Sequence, residues 1–378
     1  MLLQRQLQMD IEENLFKNKV IILYGARQVG KTTLVKEIQK KYINESIYLN
    51  CDEPDVKNSL TNRTSTELKN YFGNNRLVII DEAQRVENIG LTLKLAFDTF
   101  PEIQIIATGS SSFDLANKIV EPLTGRKREF FLSAISLTEL LGIYSEIEIK
   151  RIIENRMLFG MYPGVLFGNS SEEKKNIEEI ARSYLYKDIL ALDKIRNPEG
   201  VEKLLKALAL QIGKEVSYNE LAFTVGLNKK TIENYVRILE QAFIIFRLKP
   251  YYNNSRNELT RLRKIYFYDL GIRNAIIDNF NSFDKRNDIG VMWENFMISE
   301  RLKRNNNFGD KIPETLPYFW RTTNGQEVDY VESISGVISA FEIKVTKEKQ
   351  YPPKSFVENY PNSKFMSVNR DNFLDFVK

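Results

Sequence analysis

The chain has 378 residues, 43% of them hydrophobic, and a formal net charge of +4; this is ample for two or three domains, while the mild basicity permits a nucleic-acid partner without demanding one. It contains no histidine and a single cysteine, Cys51, which excludes histidine triads, histidine–metal sites and intramolecular disulfides and points to a reducing, cytoplasmic setting. The N-terminus is too polar for a secretory signal, and no apolar run approaches the ~20 residues needed to span a membrane.

Leu3, Leu7, Ile11 and Leu15 recur at helical spacing and predict a first helix. Val20–Tyr24 reads as a buried strand, Gly25–Thr32 fits G-x-x-x-x-G-K-[ST], and Thr32 onward reads as a helix. Strand, glycine-bounded loop and helix together form a phosphate cradle, in which backbone N–H groups and the helix N-terminus make an anion site. The expected nucleotide-binding stretch is Gly25, Ala26, Arg27, Gln28, Val29, Gly30, Lys31, Thr32 and Thr33, with Lys31 on the β- and γ-phosphates and the Thr32 hydroxyl on Mg²⁺.

Ser46–Asn50 is a second strand, and Thr61–Asn70 is read as a helix. Leu77–Ile80 followed by Asp81-Glu82 reads as a Walker B strand. Asp81 is expected on Mg²⁺, and Glu82 is expected to orient and deprotonate a water, a base role that falls to a carboxylate in a chain without histidine. A fourth strand, Glu102–Thr108, leads into Thr108-Gly-Ser-Ser-Ser112, where Thr108 and Ser110 are both candidate γ-phosphate sensors. Arg126, just before a strand at Glu129–Leu132, reads either as an arginine finger, in cis or from a neighbouring subunit, or as part of a solvated basic loop. Alternating strands and helices give an α/β fold with a parallel sheet.

These motifs resemble one family. Tyr-Gly-Ala-Arg-Gln-Val-Gly-Lys-Thr-Thr-Leu, Ile-Ile-Asp-Glu-Ala-Gln, Ala-Thr-Gly-Ser-Ser-Ser and Leu-Thr-Gly-Arg are similar to the prokaryotic AAA-type ATPases that carry a C-terminal domain of unknown function. Ala26 stands where that family usually has proline, and Ser133-Ala-Ile-Ser-Leu replaces its usual Pro-Leu-Ser-Phe; neither touches a phosphate or metal contact. The resemblance implies an ATP- and Mg²⁺-dependent ATPase of P-loop NTPase (AAA/ASCE) fold. It also extends to Gly160-Met-Tyr-Pro and to Lys187-Asp188 within a helix read over 177–196.

Further on, Ser217 and Glu220 fit a capping box, Gly226 makes a turn, and Asn228 caps a helix over Lys229–Ala242. A strand, a polar tip and a return strand at Lys264–Tyr268 complete a winged helix. If it contacts DNA, Lys229, Lys230, Arg237 and Arg256 are the candidate contacts, with Tyr235 exposed and Arg261, Arg263 and Lys264 on phosphates; the other reading of such a module is packing against a protein domain. In the last segment Glu294 on a helix, then Asp329, then Glu342-Ile-Lys344 on a strand resembles the restriction-nuclease-like PD-(D/E)xK fold. That resemblance implies a second Mg²⁺ or Mn²⁺ at Glu294, Asp329 and Glu342, with Lys344 positioning water or stabilising phosphate.

The reading therefore has three parts: 1–164 an AAA-type ATPase domain, 165–270 a helical connector with a winged helix, and 271–378 an α+β nuclease-like domain. The expected function is an ATPase whose C-terminal half binds DNA or a protein partner, with oligomerisation open. The rivals are an ATP-gated DNA nuclease and a nucleotide-switched protein-binding module with slow hydrolysis.

Overall fold

Five parallel strands organise the first 134 residues: β1 (Val20–Tyr24), β2 (Ser46–Asn50), β3 (Leu77–Asp81), β4 (Gln104–Gly109) and β5 (Lys127–Phe131), in the sheet order β2-β3-β4-β1-β5. The computed structural model describes residues 3–110, 122–183, 195–251, 263–307, 316–346 and 350–378. Every residue of β1, β3 and β4 is buried, so these strands are near-continuous apolar runs, as a sheet covered on both faces requires. The helices of this unit are α1 (Gln6–Glu13), α2 (Lys31–Lys40), α3 (Pro54–Leu60), α4 (Ser65–Phe72) and α5 (Ile89–Thr99). The helix expected at 61–70 starts later, at Ser65. Thr64 caps it in a reciprocal box with Glu67, and α3 precedes it with Pro54 in its first turn.

By internal contacts the chain divides after Ala134, into 1–134 and 135–378, rather than after Gly164 and again at 270. The second unit holds α6 (Leu137–Leu140), α7 (Glu146–Phe159), α8 (Pro163–Leu166), α9 (Glu173–Ser183), α10 (Pro198–Leu210), α11 (Tyr218–Val225), α12 (Lys229–Gln241), α13 (Leu270–Ile276), α14 (Ile289–Asn307), α15 (Lys354–Asn359) and α16 (Phe373–Val377). Gly160 does break a helix, with φ +83°, but the break is a packed turn and not a linker. A Cβ there would fall 2.1 Å from Asp269 Oδ1. That buried carboxylate accepts from Met161 N at 2.8 Å and from Gly271 N at 2.9 Å, which caps α13.

The two helices expected on either side of Gly226 are present. Gly226 ends α11 in the left-handed region, and the Asn228 side chain accepts from Thr231 N at 2.8 Å to open α12. The Ser217–Glu220 box does not form, since Ser217 makes no side-chain cap bond. Tyr235 is buried with Ile232, Val236, Ile238 and Leu239, and not exposed as the sequence suggested; its hydroxyl accepts from Asn197 N at 3.2 Å.

The wing is not a free ribbon. Strand β6 (Ile245–Pro250) pairs antiparallel with β7 (Lys264–Phe267) on one side and parallel with β8 (Leu316–Arg321) on the other. With β9 (Glu327–Ile334), β10 (Val337–Ile343) and β11 (Lys364–Val368) they form one six-stranded sheet, β11-β10-β9-β8-β6-β7. The sheet thus crosses position 270, where the sequence reading had drawn a boundary. Trp320, Val328, Val331, Ala340, Phe356 and Tyr360 make a core on it. Buried Glu332 takes a two-pronged bond from Arg301, at 2.9 and 2.8 Å. Burial pushes the Glu332 carboxyl up, but Arg301, Asn305 and Tyr330 outweigh it and hold it below the ordinary range.

Candidate functional site

The loop after β1 is built for close approach. Gln28 and Gly30 both take positive φ, 62° and 101°, and Gly30 opens α2. At Gly25 an ideal Cβ would sit 2.3 Å from the Leu132 carbonyl oxygen, so the position admits glycine only. Val29 is buried behind the loop, and its carbonyl accepts from Arg5 Nη1 at 2.8 Å, while Arg5 Nη2 donates to Ser133 O at 2.7 Å. Arg5 thus braces the loop from behind. Lys31 is buried, and its ammonium donates to Gly25 O and Ala26 O, both at 2.8 Å. A phosphate can replace these carbonyls as acceptors, and the N-terminal end of α2 favours an anion at the same loop.

Asp81 is the hub of the site. Its Oδ2 accepts from Thr32 Oγ1 at 2.7 Å and from the Tyr48 hydroxyl at 2.5 Å, and its Oδ1 accepts from Thr108 Oγ1. The strand order explains the set: β3 lies between β2, which carries Tyr48, and β4, which carries Thr108. Burial and then Asp81 push the Tyr48 hydroxyl up, so it stays a neutral donor. The register Ile80 with Ala107 places Asp81 beside Thr108. Thr108 Oγ1 also accepts from Glu82 N at 3.2 Å, so one hydroxyl spans the two acidic residues.

Glu82 sits in the left-handed region at φ 54°, an arrangement that costs a non-glycine residue about 1–3 kcal/mol. Its Oε2 accepts from Gln84 Nε2 at 2.5 Å, and the same amide reaches Ser110 Oγ at 3.1 Å. Thr108 therefore touches both acids directly, and Ser110 reaches Glu82 through Gln84; residues 111 and 112 lie outside the described residues. Beside them Cys51 is buried, and burial, then the neighbouring Asp81, Asp52 and Glu82, push its thiol up to about 12.

The donors suit Mg²⁺: a threonine hydroxyl and one carboxylate, with the remaining positions left to phosphate and water, is the sparse oxygen set this ion takes in phosphate sites. Arg126 does not join the site. Val20 pairs with Lys127 in parallel register, so Arg126 lies at the start of β1, a strand's length of ~13 Å from the loop at its end. Its Nε donates to Asp98 Oδ1 at 2.8 Å. A finger acting in cis is excluded by that placement.

In the second unit, Lys230 and Arg237 line one groove of about 800 Å³ with Arg196, Asn228, Thr231 and Asn234. Lys229 lies 3.9 Å from Glu233. Arg256 and Arg261, like Lys187 and Asp188, lie outside the described residues. Arg263 stacks over the Tyr218 ring at 4.2 Å. Lys264 is not a surface phosphate contact: it is 3% exposed, and its ammonium pairs with Glu294 at 3.4 Å and with Glu327.

Glu294, Asp329, Glu342 and Lys344 do approach one another. Lys344 Nζ lies 3.0 Å from Asp329 Oδ2 and 2.8 Å from Glu342 Oε1. Glu294 Oε1 accepts from the Tyr266 hydroxyl at 2.5 Å. Burial, with repulsion from Asp329, pushes the Glu294 carboxyl up to about 7 against the pull of Lys264. Yet among the described residues no group of three or more His, Cys, Asp or Glu side chains is disposed to hold a metal ion. The residues present do not fit the second metal that the resemblance implied.

The parallel sheet, the glycine-bounded loop and the Thr32–Asp81–Thr108 network define the first unit as a P-loop nucleotide-binding domain. Residues 17–141 match the family model described as AAA domain. Residues 150–282 match Domain of unknown function (DUF8612), and residues 289–374 match Domain of unknown function (DUF4143). An uncharacterized protein of Mycobacterium tuberculosis is 27% identical over 338 residues, covering 88% of this chain and 71% of that one. An uncharacterized protein of Methanocaldococcus jannaschii is 25% identical over 342 residues, covering 85% and 74%. Among solved structures, the Walker-type ATPase of Pyrococcus abyssi superposes with TM-score 0.52 at 18% identity, over 73% of this chain and 96% of that chain. No helix among the described residues is long and apolar enough to cross a membrane.

Proposed function

We propose that the chain binds ATP with Mg²⁺ at the Gly25–Thr33 loop and hydrolyses it. The observation that carries this reading is the hydrogen-bonded line from Thr32 through Asp81 and Thr108 to Glu82, set beside Lys31 and the loop. Lys31 leaves the Gly25 and Ala26 carbonyls and takes the β- and γ-phosphates. Thr32 and Asp81 hold the metal, which when bound neutralises phosphate charge. Glu82 receives a proton from the attacking water, whose oxygen bonds to the γ-phosphorus as the bond to the β–γ bridging oxygen breaks. Thr108 fixes Glu82 against Asp81. Arg126 has a catalytic role only toward a neighbouring subunit's nucleotide.

The test is ATP binding by calorimetry and phosphate release in Mg²⁺ by the full chain and by Lys31→Ala. Loss of both in Lys31→Ala is expected, because the variant removes the one buried ammonium at the loop. A full chain with neither binding nor release defeats the proposal.

For the C-terminal half we favour DNA as the partner over a protein, on the groove that gathers Arg196, Lys230 and Arg237 beside the start of α12. Three cations with amide and hydroxyl side chains, against the single carboxylate of Glu233, suit a phosphate backbone. Binding to duplex DNA is expected to weaken with salt, and Lys230→Ala with Arg237→Ala is expected to flatten the log–log salt slope by about 2. An unchanged slope in the double variant would assign the groove to a protein partner.

A further inference from the structure

The carboxylates of the C-terminal sheet already have their cations. Glu294 comes from α14, Glu327 and Asp329 from β9, and Glu342 from β10. Lys264, from the return strand of the wing, reaches into this group. The residue is 3% exposed, and its ammonium pairs with Glu294 and Glu327 and lies 5.6 Å from the centre of the Phe319 ring. Lys344 closes the other side on Asp329 and Glu342, and Arg321 lies 3.4 Å from Glu327 Oε2. Four acids thus face three basic side chains of the same chain, of which Arg321 is shared with Glu215 at 3.3 Å. A buried ion pair of this kind is costly to break, because the survivor is left charged without a partner. A divalent ion entering here would have to displace an ammonium whose own attraction to Glu294, Glu327 and Asp329 outweighs its burial.

We propose that Lys264 supplies from within the chain the positive charge that a metal ion would otherwise bring to Glu294 and Asp329, so that the C-terminal domain folds as a metal-free ionic clasp and does not cleave nucleic acid. The clasp fastens the wing strand β7 to α14 and β9. The acids remain a latent divalent-cation site that only the loss of Lys264 uncovers.

The experiment uses nucleotide-free full-length protein carrying Asp81→Asn, which removes the carboxylate of the P-loop metal site. Mn²⁺ uptake is followed by the loss of its free electron paramagnetic resonance signal. The Asp81→Asn chain is expected to take up no Mn²⁺ that depends on Asp329. Adding Lys264→Met is expected to create one Mn²⁺ site per chain, to raise the melting temperature on Mn²⁺ addition, and to lose both effects when Asp329→Asn is added. The proposal is overturned if the Asp81→Asn chain already binds Mn²⁺ in a way that Asp329→Asn abolishes. It is equally overturned if Lys264→Met, folded by circular dichroism, binds none. Should Lys264→Met fail to fold, the comparison of Asp81→Asn with Asp81→Asn plus Asp329→Asn decides alone, since Lys264 is intact in both: equal uptake supports the clasp, and unequal uptake refutes it.

Discussion

Replacing Glu82 by Gln is expected to leave ATP binding intact and to lower turnover by about 10²–10⁴-fold, the usual worth of a positioned general base. The amide keeps the size of the side chain and can still meet Gln84, which holds Oε2 at 2.5 Å, but it cannot take a proton. The backbone bond from residue 82 N to Thr108 is untouched by the change, so the Asp81 network persists. Binding by calorimetry and phosphate release under saturating ATP separate the two effects. Turnover at the parental rate would remove Glu82 from the chemistry and leave Asp81 or a neighbouring subunit to supply the base.

A single methyl group at Gly25 is expected to weaken nucleotide binding severely while leaving the second unit folded. The added Cβ would stand 2.3 Å from the backbone oxygen of Leu132, and that oxygen cannot swing aside as a side chain could. Leu132 is tied to the sheet, its N–H donating to Tyr24 O at 2.8 Å. The loop must therefore shift, and with it the N–H groups aimed at phosphate. Losing two charge-assisted bonds of ~1.5–3 kcal/mol each lowers affinity by about 10²–10⁴-fold. A fluorescent ATP analogue titrated into Gly25→Ala measures this. Binding within a few-fold of the parent would mean that the contact with Leu132 O relaxes and that the close approach is not required.

The two residue groups that locate the site were legible because each is local. Gly25–Thr32 sits between an apolar strand and a helix, and Asp81-Glu82 ends a second apolar run. What surrounds them was not legible, because it depends on which strands are neighbours. Tyr48 reaches Asp81 only because β2 lies against β3, and Gln84 meets Ser110 only because the turn after β3 folds back on the end of β4. Arg5 lies far from the loop in sequence and braces it through a carbonyl, which no side-chain pattern announces. Of the readings of Arg126, the finger in cis fails for the converse reason. A basic residue after a phosphate loop and a Walker B strand suggests a finger, but the parallel register sends the start of β5 to the far end of β1. In the second unit, helical spacing located α12, yet Tyr235 was assigned to its exposed face because it falls outside the stripe of Ile232, Val236 and Leu239; Asn197 meets its hydroxyl in the interior. Lys264 was read as a surface cation on the same kind of prior. The acids that bury it lie on α14 and β9, well downstream in the sequence.

Strand β6 belongs to two ladders at once, with β7 on one side and β8 on the other. A fragment ending near residue 270 would keep the two helices and their hairpin but strip β8 away. The β6 edge would then lose Tyr318 and Phe319, leaving the Tyr251 N–H without the Phe319 carbonyl it donates to, the kind of open margin along which chains zip together and precipitate. The unit for laboratory dissection is therefore the whole stretch from Ile135 onward, and the two helices and hairpin cut out of it would be a broken piece of a larger sheet.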